Sequence, residues 1–270
     1  MECDICNFEN PKGSVSAVII KEGRILVLKR IEEPFNDMWD LPGGYIDAGE
    51  TPEQAIKREI KEELGVDANI DFIGCFPGTA SWKDKEFPII SHAYIAELTG
   101  ELKLNTSENS SFNWIPISDI NLKEIAFDSN KRIVEYVKNN FSINFEELKK
   151  LITQLDASAD IKEINLFRSI LNGYMSRKYA DGKLVGVGWI FPRRTLLRKQ
   201  AVIEDVVVDS SQRGKGYGKE ITLDLMRWAQ ENAIEVIELT SGSHRIAANE
   251  LYKKVGFQLH QTNHYLYKVE

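Results

Sequence analysis

Apolar residues dominate GSVSAVIIKEGRILVLKR, from Gly13 to Arg30, and polar Glu22-Gly23 interrupts them. This pattern predicts two strands joined by a turn at Glu22-Gly23. From Thr51 onward the apolar period lengthens. Ala55, Ile56, Ile60 and Leu64 recur three or four positions apart, as one face of a helix requires. Thr51 suits the helix N-cap, Pro52 the first helical position, and Gln54 the reciprocal partner of a capping box. Gly65 supplies a left-handed stop. IDFIGCFPG, FPIISHAYIAEL and FNWIPI predict further strands, with Cys75 in the first of them expected in the core. Glu124 to Asn140 predicts a closing helix with Ile125, Ile133, Val134 and Val137 turned inward.

The pattern breaks in KNNFSIN, near Asn139 to Asn144, where polar turn residues interrupt the periodicity. Two helical stretches follow, FEELKKLITQLD and IKEINLFRSILNGYMSRKY. A strand, KLVGVGWIF, then meets a basic turn, PRRTLLRK, that reads as a solvated hairpin. Next come the strand AVIEDVVVD, the Gly-rich loop and helix SSQRGKGYGKEITLDLMRWAQENA, the strand VIELT and the helix IAANELYKKVG. HYLYKV is expected as a last strand. The elements predict an α/β (α+β) chain of two domains, residues 1–140 and 141–270.

At 270 residues, 43% hydrophobic and 28% charged, the composition is that of a soluble globular protein. A net charge of −7 argues against a general nucleic-acid surface. No apolar stretch is long enough to cross a bilayer, and MECDICNFEN has no secretory pattern, so cytoplasmic residence is expected. The three cysteines do not suggest a disulfide framework. Cys3 and Cys6 have metal-ligand spacing, but no second pair completes four ligands for zinc. Trp39 and Trp114 are read as packing residues.

Candidate chemistry concentrates in GYIDAGETPEQAIKREIKEELGV, residues 44–66. With about 3.6 residues per turn, Arg58, Glu59, Glu62 and Glu63 share one side of its helix. Three carboxylates on one side repel one another, and a hard divalent cation is the best reason to gather them. The order Gly44, Glu50, Arg58, Glu59, Ile60, Glu62, Glu63, Gly65, Val66 matches every position of the Nudix box, and Pro42-Gly43 agree with its flank. The first half therefore resembles a Nudix hydrolase. This resemblance implies an α/β/α sandwich with a mixed sheet that hydrolyses a nucleoside diphosphate linked to another group. Glu59, Glu62 and Glu63, with the Gly43 carbonyl, would hold Mg²⁺ or Mn²⁺. Arg58 would orient the cluster. Glu62 is the candidate base, and Glu108, in a later loop, is its rival. CDIC before Asn10-Pro11 looks like half of the zinc ribbon that precedes this domain in some relatives, which makes residues 1–12 a possible remnant.

In the second half, glycines in RGKGYG let the backbone approach a ligand, and the helix N-terminus behind them attracts anions. Arg213, Gly216 and Gly218, with Asn249, Tyr252, Gly256 and Phe257 downstream, resemble the GNAT acyltransferase superfamily, most closely from Ile203 onward. The resemblance implies a mixed sheet flanked by helices, and acetyl-CoA as donor. Val206, Val208, Arg213, Gly214, Lys215, Gly216, Tyr217 and Gly218 would hold it, with Asn249 near the pantetheine arm. Tyr252 would protonate the leaving thiolate, and Glu204 would take the proton of the amine. Asp205 would face the other way if its strand is regular. Arg193, Arg194, Arg198 and Lys199 are read as a solvated basic hairpin.

Together these readings give a bifunctional enzyme. It takes a nucleotide, ADP-ribose or a nucleotide sugar by preference, and a small amine, with neither nucleic acid nor membrane as partner. A nucleoside triphosphate substrate, or a Nudix module that senses a nucleotide and regulates the acetyltransferase, are the alternatives.

Overall fold

A computed structural model describes residues 10–82, 85–263 and 265–267. Cys3 and Cys6, and with them the half-ribbon expectation, lie outside these. The chain divides into two compact units. The first comprises Met1–Phe145 and Ile161–Leu171, the second Glu146–Asp160 and Asn172–Glu270. Both are mixed α/β structures, as the pattern predicts. Among the described residues no helix is long and apolar enough to cross a membrane.

The first unit begins with β1 (Lys12–Val18), β2 (Ile20–Lys21), β3 (Arg24–Arg30), β4 (Trp39–Asp40) and β5 (Gly43–Tyr45). Helix α1 (Pro52–Leu64) follows, then β6 (Ala68–Trp82), β7 (Lys85–Leu98), β8 (Asn109–Pro116) and α2 (Asp128–Phe141). One sheet runs β5-β1-β7-β6, with β1 and β7 parallel and the other pairs antiparallel. The other runs β2-β3-β4, with β8 antiparallel on β3. Ala55, Ile56, Ile60 and Leu64 of α1 are fully buried against Val15, Ala17, Leu26, Leu28 and Tyr94. Local chemistry sets the ends of α1 as expected. The Thr51 hydroxyl accepts from the Gln54 amide, the Gln54 side chain accepts from the Thr51 amide, and Gly65 closes at φ 68°.

Chain order and structure part company after α2. Helix α3 (Phe145–Leu155) belongs to the second unit, but α4 (Glu163–Asn172) belongs to the first. The Glu163 carboxylate accepts from the amides of Glu22 and Gly23, both at 2.7 Å. Arg168 donates to Asp71 at 2.8 Å and to Glu97 at 3.4 Å. Phe167 meets Phe141 edge to face, 5.1 Å between centroids, and both rings are buried.

The second unit continues with β9 (Tyr174–Ala180), β10 (Lys183–Arg194), β11 (Lys199–Val208), α5 (Tyr217–Glu231), β12 (Val236–Leu239) and α6 (Ile246–Lys254). Its sheet runs β12-β11-β10-β9, parallel between β11 and β12 and antiparallel elsewhere. Ile221, Leu225 and Ala229 of α5 bury themselves against Ile190, Ala201 and Ile203.

Several expectations are corrected. The stretch 161–179 is a helix only to Asn172. At Gly173 a Cβ would stand 2.3 Å from the Ile190 carbonyl oxygen, and the chain there enters the ladder as β9. Ile125 is buried but precedes α2, because a 3-10 turn over Leu122–Glu124 intervenes. Cys75 is exposed: an irregularity between Phe72 and Gly74 shifts the alternation of β6 by one residue. Tyr265–Tyr267, the described part of the expected last strand, form none and are exposed.

The Phe141–Phe167 contact gives a direct test of where α4 belongs. Phe167→Ala should cost about 3–5 kcal/mol, as large-to-small changes at buried aromatics do. Hydrogen exchange should accelerate in β1, β6 and β7 while β10 and β11 keep their protection. The reverse pattern would assign α4 to the second unit.

Candidate active sites

The first site is built where α1 lies against β5. Gly43 adopts φ 148°, and a Cβ there would sit 2.1 Å from the Val15 carbonyl oxygen. At Gly44 a Cβ would sit 2.3 Å from Glu59 Oε1. Gly43 thus lets β5 lie close on β1, and Gly44 lets β5 and the Glu59 carboxylate of α1 share the same narrow space.

Arg58 organises the exposed half of that row. Its Nε and Nη2 donate to the two Glu50 oxygens at 2.8 and 3.0 Å, a bidentate pair. Nη2 also donates to the Tyr45 carbonyl at 3.0 Å, and Nη1 donates to Glu59 at 2.8 Å and Glu62 at 3.2 Å. Every nitrogen of this guanidinium is committed, and these carboxylates raise its pKa.

Glu63 forms the buried half. Its Oε2 accepts from the Gly43 amide at 2.9 Å and its Oε1 from Asn109 Nδ2 at 3.0 Å. Burial nevertheless pushes its pKa up to about 8, with the charges of Glu59 and Asp40 adding to the push against those two hydrogen bonds. Burial also raises Glu59, partly offset by Arg58, and the charges of Glu62 and Glu108 act on it in the same upward direction. Glu63 lines a narrow cleft with Arg30, Glu32, Asp40, Leu41, Gly43, Glu108 and Asn109.

The expected residues are therefore brought to one place but held apart by protein partners. Glu59 and Glu62 share Arg58, while Glu63 turns to Gly43 and Asn109. Among the described residues no three His, Cys, Asp or Glu side chains are gathered closely enough to grip an ion as they stand. Asp40, Asn109 and Arg30 escaped the sequence reading. Asp40 precedes the Leu41-Pro42-Gly43-Gly44 run and Asn109 follows Glu108, but nothing in their spacing marks them.

The second site lies where β11 runs into α5. Gly214 and Gly216 adopt φ 80° and 92° with open space around both, and Gly216 caps α5 without a side-chain acceptor. The first amides of α5 are left to a ligand or solvent. Arg213 Nε donates to the Val208 carbonyl at 3.2 Å, and Lys215 Nζ to Gln212 at 2.8 Å. The strand before the loop is not regular. Trp189 faces Glu204 and Val187 faces Val207, so β11 carries an extra residue there, and Asp205 takes φ 51°. Glu204 and Asp205 are both exposed as a result. β12 pairs with β11 only as far as Ile203, so Val206 and Val208 lie beyond that pairing. On α6, Asn249 Nδ2 donates to the Gly242 carbonyl at 3.0 Å, shaping the loop before the helix. Tyr252 is half-buried beside Phe257, 6.0 Å between centroids, and burial raises its pKa.

The NUDIX domain profile matches residues 10–137, and the acetyltransferase (GNAT) family profile matches residues 142–257. The chain carries a NUDIX domain followed by a GNAT acetyltransferase-family domain. It is similar to the ADP-ribose pyrophosphatase of Methanocaldococcus jannaschii, 33% identical over 132 residues that span 48% of this chain and 75% of that protein. Among solved structures it is similar to a MutT NUDIX hydrolase from Burkholderia pseudomallei (26% identity, 48% of this chain, 99% of the other, TM-score 0.43). It is also similar to a Trypanosoma brucei acetyltransferase (23% identity, 46% of this chain, 92% of the other, TM-score 0.39). Both halves of this Nudix–GNAT chain thus belong to enzyme families.

Glu63 makes the stability of the Nudix unit depend on pH. Its folded pKa of about 8 lies above the ordinary 4.5, so the fold favours the protonated form. The resulting stabilisation is complete below pH 4.5 and is lost as pH rises toward 8. Glu63→Gln should match the wild type near pH 5 and outlast it increasingly up to pH 8, by at most roughly 1.4 kcal/mol per unit. Thermal melts in chelator across this range measure the gap, and a gap independent of pH would refute the assignment.

Proposed function

We propose that the Nudix unit hydrolyses a nucleoside diphosphate linked to another group, with ADP-ribose or a nucleotide sugar preferred. The GNAT unit transfers an acetyl group from acetyl-CoA to a small amine. The state of Glu63 carries the first half of this reading. A buried carboxyl that keeps its proton to about pH 8 beside Glu59 and Asp40 is a donor set short of a cation. The hard oxygens of Glu59, Glu62, Glu63 and the Gly43 carbonyl suit Mg²⁺ or Mn²⁺. Bound there, such an ion supplies positive charge for phosphoryl oxygens and a more acidic water. Arg58 orients Glu59 and Glu62. Glu62, at the exposed end of the cluster, takes the proton of the attacking water, with Glu108 across the cleft as the rival base. Similarity to a protein named as an ADP-ribose pyrophosphatase supports the preference for a diphosphate.

In the GNAT unit, the uncapped amides from Arg213 to Gly218 suit the pyrophosphate of acetyl-CoA. The unpaired side of β11 at Val206 and Val208 offers main-chain groups to an extended arm, near Asn249. Glu204 accepts a proton from the amine. The amine nitrogen then bonds to the acetyl carbon, the carbon–sulfur bond breaks, and Tyr252 protonates the departing thiolate. A raised pKa keeps the Tyr252 proton in place until that step.

A nucleotide panel tests the first half. Phosphate or monophosphate release that needs Mg²⁺ or Mn²⁺ is expected with ADP-ribose or nucleotide sugars, and Glu62→Gln should slow it by about 10²–10⁴. Turnover confined to triphosphates would reassign the substrate, and binding without turnover would mark a nucleotide sensor. For the second half, thiol release from acetyl-CoA is expected with some member of an amine panel, slowed by about 10²–10⁴ in Tyr252→Phe. An unchanged rate in that variant would remove Tyr252 from its role.

A further inference from the structure

Among the described residues, the cleft beside Glu63 is lined by four carboxyls, Glu32, Asp40, Glu63 and Glu108, and one cation, Arg30. Two like charges about 4 Å apart repel by roughly 1 kcal/mol in water and about 4 kcal/mol near a protein surface. A diphosphate entering such a cleft needs protein cations besides any bound metal. Arg58 is fully engaged by Glu50, Glu59, Glu62 and the Tyr45 carbonyl. Arg30 is not. Its Nε donates to the Pro34 carbonyl at 3.2 Å and its Nη1 to Asp40 Oδ2 at 3.2 Å, while Nη2 has no partner among the described residues.

The same guanidinium is held with little freedom. It lies over the Phe127 ring, 5.0 Å from the centroid, and Phe35 braces that ring edge to face at 5.1 Å. Its main chain closes a small loop, in which Arg30 N donates to the Met38 carbonyl and Asp37 N to the Arg30 carbonyl, both at 3.0 Å. Asp40 is fixed in turn. Its Oδ1 accepts from Asn130 Nδ2 at 2.6 Å and from the Leu41 amide at 3.0 Å. Asn130 Oδ1 accepts from the Ser16 hydroxyl at 2.7 Å, and Ser16 meets the Ser91 hydroxyl at 2.8 Å. This buried chain of polar groups anchors the base of the cleft to α2, β1 and β7. A planar fork that is already oriented binds phosphate oxygens with little loss of side-chain freedom.

We propose that Arg30 is the phosphate-binding cation of the Nudix cleft, with Nη2 donating to a phosphoryl oxygen of the substrate. Asp40 acts through it as a positioning residue, held by Asn130 and Ser16. The inference rests on the reading of this unit's ligand as a nucleoside diphosphate derivative.

The test is calorimetric titration of the full chain with ADP in Mg²⁺, which needs no turnover, and any ADP held by the GNAT unit is a background common to every Arg30 variant. Arg30→Gln should bind ADP on the order of tenfold to a hundredfold more weakly, the worth of one charged hydrogen bond. Asp40→Asn should weaken binding less, and the double variant should bind no worse than Arg30→Gln, because Asp40 acts only through Arg30. The proposal falls if Arg30→Gln melts with the wild type and binds within about twofold of it, if the two losses add, or if the wild type binds no ADP. Should Arg30→Gln fail to fold, Arg30→Lys replaces it. It keeps the charge without the fork, and binding within about twofold of the wild type would also overturn the proposal. Wild-type ADP binding that depends on Arg30, without hydrolysis of any nucleotide, would uphold this subsite and sink the hydrolase reading instead.

Discussion

A buried carboxyl, Glu63, joins three parts of the Nudix unit. It stands on α1, accepts from the Gly43 amide of β5 and accepts from Asn109 at the start of β8. None of these contacts neutralises it, and the nearby Asp40 and Glu59 make its ionisation harder still. The unit thus retains an unmet demand for positive charge at a fixed point. The Arg58 clasp, the room that Gly44 leaves for Glu59 and the arginine in the cleft bear on that demand. Arg58 keeps the outer carboxylates oriented, Gly44 lets Glu59 approach β5, and Arg30 is the cation with a donor to spare among the described residues that line the cleft.

For the anion proposed here, the GNAT unit offers a different arrangement. It presents main-chain amides at the start of α5 rather than side-chain cations, and left-handed Gly214 and Gly216 expose them. Arg213 donates back to the end of β11 at Val208, and Lys215 donates to Gln212. On the proposed reading, one chain carries two solutions to phosphate recognition. Acidic groups that call for a metal form the first, and an uncapped helix end forms the second.

Much of this was legible in the order of residues. The capping pair Thr51–Gln54, the Gly65 stop and the apolar stripe of α1 are local, so spacing alone announced them. The glycine loop before α5 was equally local. Other features depended on distant neighbours. Asn130 meets Asp40 across 90 positions of chain, and Asn109 meets Glu63 across 46. No periodicity encodes such pairs. Irregular β ladders defeated the alternation rule twice, exposing Cys75 in β6 and turning both Glu204 and Asp205 outward in β11.

By itself the sequence determined most of the helices and strands, though not the strand that starts at Tyr174, and it fixed where α1 begins and ends and which acids lie along one side of it. Backbone hydrogen bonds within a turn and the burial of one face act over a few residues, and a linear pattern records them. Tertiary structure alone decided which of those acids keeps its proton and which arginine has a donor to spare. It also drew α4 into the Nudix unit, although the helix follows α3 in the chain. Charge and burial act through space, and the residues that set them are assembled only when the chain folds.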